Sequence, residues 1–240
     1  MPTHIIPVVG RSFARFAAQV GGLTADAALA GPPDGTTGPR GSALRAGQGL
    51  SAADWAAITA TGAAAAPRRE PALADAGLYK RDPRNILIGD LERVDRRRWR
   101  AALVVHADNA VLADRDNGTA HLPGMVEVEA CSQMAMAVTE AYLLPHGGGY
   151  VFTTKRLDIE FAAFVFPLPA TVELRADRTG WPRPDVLAAD LTATIIQSGL
   201  AAATMRFQAR VFERAHFDRL EGERAREAAR ADRTELLEHR

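Results

Sequence analysis

The residue types best able to do chemistry lie in one run, His121-Leu122-Pro123-Gly124-Met125-Val126-Glu127-Val128-Glu129-Ala130-Cys131-Ser132-Gln133. Pro123-Gly124 makes a sharp entry into a helix. The first amide groups of a helix have no acceptor within it and sit at the positive end of its dipole. Gly124 lets a ligand approach the backbone closely. An amide there, on Gly124 or Met125, suits the oxygen of a thioester carbonyl, where it can stabilise developing oxyanion charge. Glu127 and Glu129 are two apart, about 200° around a helix, so they face nearly opposite ways. Glu129 and Gln133 are four apart and share a face. A carboxylate in the first turns of a buried helix is costly unless it is paired or used. On pattern alone, a structural capping role and an acid/base role for Glu129 stand level.

The neighbours of this run are weighed in the same way. His121 brings an imidazole to the helix entry, to orient substrate or simply to pack the turn. Asn117 offers hydrogen bonds to a carbonyl without proton transfer, or is an ordinary turn residue. Cys131, two residues after Glu129, has no histidine near it in sequence and reads as a buried, inert thiol. Lys155-Arg156 are solvated, or meet a phosphate or a carrier protein's acidic helix, and Arg93 with the run Arg96-Arg97-Arg98 is a solvated turn or docks an acidic carrier protein.

Elements that must position this run follow from the flanking patterns. Before residue 78 the chain is rich in Ala, Gly and Pro, which favours turns and loops. Two helical patches interrupt it, at Ser12 to Val20 and after Ser51, where Ser51 caps with Asp54 at the third position. This front segment is expected to drape over a partner surface or to be partly disordered. Beyond it, NILIGDLERVD and WRAALVVHA read as strands. Met125 to Leu144 contains no Gly or Pro and reads as a long, mostly buried helix. Four strand-like runs follow, YVFTTKRLDIEF, ATVELRADRT, VLAADLTATIIQ and AAATMRFQARVF, separated by the turn signals FPLP, TGWPRP and SGL. From His216 the chain is charged and helical by composition. The boundaries are thus 1–77, an N-terminal extension; 78–213, the folded domain; and 214–240, a charged helix or tail. This order favours an α+β architecture, an antiparallel sheet wrapped around one long central helix. Its open edges favour pairing of two copies as a homodimer.

Composition narrows the partners. The 240 residues carry a formal net charge of +0, so no global field favours nucleic acid or an anionic membrane. No run approaches the ~20 apolar residues of a membrane span. The N-terminus lacks a secretory signal pattern. A single cysteine fits a reducing compartment, and a cytoplasmic location is expected. No metal-ligand cluster or nucleotide-binding glycine pattern is present, and no cofactor is expected.

PGMVEVEACSQ resembles the PG-x-x-x-x-E-A-x-x-Q helix start of hotdog-fold hydroxyacyl-carrier-protein dehydratases. HLPGM is more specific. With Lys80-Arg81-Asp82-Pro83 leading into Asn85-Ile86-Leu87-Ile88, it resembles the A-factor biosynthesis hotdog family, over residues 78 to 212. The resemblance implies a hotdog fold and work on an acyl thioester of a carrier protein or coenzyme A. It implies transfer of a 3-ketoacyl group to a small acceptor, dihydroxyacetone phosphate, in gamma-butyrolactone synthesis. Glu129 is then the acid/base carboxylate, its pKa raised by burial. Gly124 and Met125 amides stand near the thioester, His121 is the second catalytic candidate beside Glu129, and Asn117 and Gln133 contact substrate. Two departures stand out. The upstream histidine of these families is replaced here, where Arg115 or Asn117 stands. Only one HLPGM is present, where two hotdog repeats are usual. Dehydration of a hydroxyacyl thioester, and non-catalytic binding of an acyl or polyketide-like ligand, are the alternatives.

Overall fold

The structure, a computed structural model, describes residues 4–31, 42–61, 72–73, 78–114, 119–145 and 149–238. The front segment holds β1 (His4–Val9), α1 (Ala14–Val20), β2 (Leu23–Thr24), α2 (Ala25–Ala30), β3 (Ser42–Ala46) and α3 (Ala52–Ala60). Next come β4 (Ile88–Arg93), β5 (Arg98–Leu103), the short α4 (Ala110–Ala113) and α5 (Gly124–Val138). The chain ends with β6 (Tyr150–Phe161), β7 (Thr171–Arg183), β8 (Val186–Gln197), β9 (Leu200–Glu213) and α6 (Arg214–Glu238).

β4 to β9 form one antiparallel sheet in the order β4-β5-β7-β8-β9-β6, and α5 packs against it. In β8 buried and partly exposed residues alternate, which fixes its register, because a slip by one residue would turn Leu191, Ala193 and Ile195 outward. Ser198 and Gly199 both have positive φ and close the β8–β9 hairpin in two residues. The expected turn TGWPRP is instead mostly strand. β7 runs to Arg183, and a register shift between Gly180 and Arg183 takes up Trp181 and Pro182, so proline's missing N–H costs no ladder bond. The central helix keeps its α pitch to Val138 and finishes in a single π turn, Thr139–Leu143, where the Leu144 amide donates to the Thr139 carbonyl at 3.1 Å.

The front segment departs from the loops expected of it. Its described part forms a parallel sheet, β2-β1-β3, with its own small core of Val8, Leu44, Leu50, Trp55 and Ile58. Composition hid this because β2 is two residues long and β1 contains Pro7. The Ser51 capping box forms as its sequence suggests. This unit is fastened to the larger sheet at one seam. The buried Gln48 side chain donates to the Leu103 carbonyl (3.0 Å) and accepts from the Val105 amide (2.9 Å). The Gln48 amide donates to the Pro167 carbonyl at 2.9 Å, and that of Gly49 to Val105 at 2.8 Å. Gly10 permits the close approach at this seam, since a Cβ there would stand 2.1 Å from the Gly49 carbonyl oxygen. Val9, Phe13, Phe16 and Ala17 then join the core of the large sheet.

Candidate active site

Pro123, in extended conformation, precedes α5 and gives it no side-chain cap. The residue before Pro123 is held from the β6–β7 connection, where the Leu122 amide donates to the Val165 carbonyl at 2.7 Å. Gly124 lies under Phe161, the last residue of β6. A Cβ at Gly124 would stand 3.1 Å from that ring, so glycine sets how closely the sheet edge approaches the helix start. Met125, Phe161 and Phe164 are all more than half exposed around this entrance. His121 stacks on Phe164, ring centroids 4.4 Å apart.

On one flank, Met125, Glu129 and Gln133 follow each other at spacings of four. Lys80 Nζ lies 2.6 Å from Glu129 Oε1, and Gln133 Nε2 donates to the same oxygen at 2.9 Å. Gln133 is itself fully buried. It donates to the Asn85 carbonyl (2.8 Å) and accepts from the Leu87 amide (2.8 Å), so it locks α5 to the approach of β4. The Lys80-Arg81-Asp82-Pro83 segment is shaped for this. The Asp82 carboxylate accepts from the Arg84 amide at the start of a short 3-10 turn, Pro83–Asn85, and the Arg84 guanidinium holds its pKa below the usual carboxylate value. The Asn85 side chain caps α4 by accepting from the Ala110 amide.

The two carboxyls on α5 have separate environments. The Glu129 side chain is 32% exposed and ion-paired. Glu127, on the other flank, is 3% exposed, and its Oε2 has no hydrogen-bond partner among the described residues. Burial pushes Glu127 up to about 7. The expected burial of Glu129 is therefore corrected, since the buried carboxyl is Glu127 and Glu129 is partly exposed. The 200° spacing showed that the two face different ways but not which one faces inward. Cys131, four residues after Glu127, is fully buried. Its thiol is pushed up to about 12, first by burial and then by the nearby Glu127.

Glu129 and Gln133 are thus brought together, while His121, Gly124 and Met125 line the entrance beside them. No hydrogen bond or ion pair joins His121 to Glu129 among the described residues. Asn117, like Arg115, lies outside those residues. Lys80 is the site residue that pattern reading passed over, although it opens the segment quoted for the family resemblance. Lys155 and Arg156 are exposed on β6. Arg98 is tied to Asp95 in the β4–β5 turn. No cluster of His, Cys, Asp and Glu that could hold a metal occurs among the described residues, and none of their helices is long and apolar enough to cross a membrane.

Comparison with known families matches residues 65–213, more than half of the chain, to the A-factor biosynthesis hotdog domain. The chain belongs to this family. Its long central helix on an antiparallel sheet is the hotdog arrangement expected from the sequence. Among solved structures the chain is similar to a putative thioesterase, a phenylacetic acid degradation-related protein of Ralstonia eutropha JMP134. That match has 17% identity and a TM-score of 0.39 over 50% of this chain and 82% of that one. It is also similar to AziG of S. sahachiroi, with 17% identity, 52% and 90% coverage and a TM-score of 0.38. A third similarity is to the dehydratase heterocomplex ApeI:P of Xenorhabdus doucetiae, with 11% identity, 64% and 98% coverage and a TM-score of 0.44. No curated protein matches the chain.

Proposed function

We propose that this hotdog protein is an enzyme that transfers an acyl group, of the 3-ketoacyl type, from a carrier-protein or coenzyme A thioester to the hydroxyl of a small acceptor. The observation that carries this reading is the Lys80–Glu129–Gln133 constellation, set one turn below amides that have no acceptor within the helix. The thioester carbonyl oxygen accepts from the Gly124 or Met125 amide, at the positive end of the helix dipole. Glu129 takes the proton of the acceptor hydroxyl as its oxygen attacks the carbonyl carbon. The carbon–sulfur bond then breaks, and the proton passes to the leaving thiolate. Lys80 and Gln133 both engage Oε1 of Glu129 and so fix the carboxylate during the exchange. His121 and Phe164 form the wall past which substrate enters. Membership of the family supports gamma-butyrolactone synthesis as the setting.

The reading includes a homodimer. Among the described residues β6 pairs with β9 alone, and from Lys155 to Phe161 each of its residues is exposed, including Leu157, Ile159 and Phe161. An edge of this length with apolar side chains calls for a covering partner. A second β6 would supply it, beside the helix start. The other edge, β4, is already bridged by Leu73 opposite Gly89. Mass spectrometry of a 3-ketoacyl carrier-protein thioester, with and without dihydroxyacetone phosphate, tests the chemistry. Acyl loss only when the acceptor is present, with a new phosphorylated ester, is expected. Acyl loss without acceptor would make the protein a hydrolase instead.

A further inference from the structure

The flank of α5 opposite Glu129 has a pattern of its own. Gly124, Glu127, Cys131, Met134 and Val138 recur at spacings of three and four, so they form one stripe. It runs from the exposed Phe161 ring at the helix start to positions that are fully buried. Apart from Glu127 the stripe holds no charged or strongly polar side chain. Glu127 is therefore a carboxyl placed where nothing described pairs its Oε2. An unpaired buried polar group is destabilising, and a buried carboxyl at the start of the central helix calls for an explanation.

Its position indicates its role. Glu127 stands three residues below Gly124, about 4.5 Å along the axis. Helical side chains lean back toward the N-terminus, so the carboxyl returns toward the Gly124 turn. With a thioester oxygen at the Gly124 and Met125 amides, this is the depth of the first few carbons beyond the carbonyl. We propose that Glu127 is a specificity-determining residue: its carboxyl hydrogen-bonds an oxo or hydroxyl oxygen on the third carbon of the acyl chain, so the site selects 3-oxygenated acyl thioesters over unsubstituted ones. This rests on the acyl-thioester reading of the site. A neutral carboxyl both donates and accepts, so it serves either oxygen. Burial, by pushing Glu127 up to about 7, keeps that neutral form available. Cys131, the next side chain along the stripe, offers only a weak S–H donor.

The test is calorimetric titration of the full chain with three pantetheine amides of equal acyl length. One carries a 3-oxo group, one a 3-hydroxyl and one no substituent. The native protein is expected to bind the two oxygenated compounds roughly tenfold more tightly than the third, the effect of one hydrogen bond. Glu127→Leu is expected to level the three affinities while still binding the unsubstituted compound. Glu127→Met replaces it if the leucine variant does not fold. Glu127→Gln, which keeps a donor and an acceptor, is expected to retain the preference. Equal affinities in the native protein, or a preference that survives Glu127→Leu, would overturn the proposal and leave the acyl-thioester reading standing. Binding of none of the three compounds by the native protein would overturn both.

Discussion

Glu129 and Glu127 are two residues apart, yet they call for opposite predictions. Glu129 is one-third exposed and held by two donors. Glu129→Gln preserves the shape and hydrogen-bonding reach of the side chain but removes the base. Turnover is expected to fall on the order of 10²–10⁴-fold, with an unchanged circular dichroism spectrum. Glu127 is expected to show itself in stability. Its folded pKa, about 7, lies above the ordinary 4.5. The folded state therefore holds its proton longer than the unfolded state, and stability falls as pH rises from about 4.5 through 7. The loss approaches ~3 kcal/mol at pH 8, at about 1.4 kcal/mol per pKa unit. Glu127→Gln should remove that decline, so denaturant titrations at pH 5 and pH 8 would differ far more for the native protein than for the variant. Equal slopes for the two proteins would show that the Glu127 carboxyl titrates normally.

At the scale of elements, α5 is packed into the core by its apolar face and tied to the approach of β4 by one polar side chain. Gln133 answers the Leu87 amide and the Asn85 carbonyl from within the core. Gln133→Leu fits the space but leaves both backbone groups unpaired, a loss of roughly 2–4 kcal/mol in chemical denaturation. Because it also releases Glu129, it should lower activity more than a remote substitution of equal stability cost. Much of this frame was legible in the sequence. The strand bounds Tyr150 to Phe161 and Val186 to Gln197 stand as their alternation and turn signals suggested, and the helix start follows from Pro123-Gly124. Other parts were hidden for physical reasons. The ion pair of Glu129 depends on Lys80, 49 positions away, whose approach is set by the fold around Asp82 and Asn85. Which carboxyl faces inward depends on how α5 rolls against the sheet, and periodicity fixes only their relative angle.

At the scale of the whole molecule, two junctions remain beyond the site. The parallel front unit meets the hotdog sheet through Gln48, whose amide is shared between the Leu103 carbonyl and the Val105 amide. Gln48→Ala should cost about 2–3 kcal/mol. Hydrogen exchange would then rise first in β1 and β3. Composition could not reveal this unit, because a parallel sheet is assembled from segments far apart in the chain, and its strands here are short. The second junction is the open edge of β6. Ile159→Glu places a charge in the proposed dimer seam, and sedimentation should show a shift from dimer to monomer. An unchanged sedimentation coefficient would place the interface elsewhere. The central claim concerns the chemistry, and one measurement addresses it most directly. A 3-ketoacyl carrier-protein thioester is incubated with dihydroxyacetone phosphate and either the native protein or Glu129→Gln, and the carrier is followed by intact mass. The account predicts rapid loss of the acyl mass with the native protein and its retention with the variant. Equal loss with both, or retention with both, would contradict it.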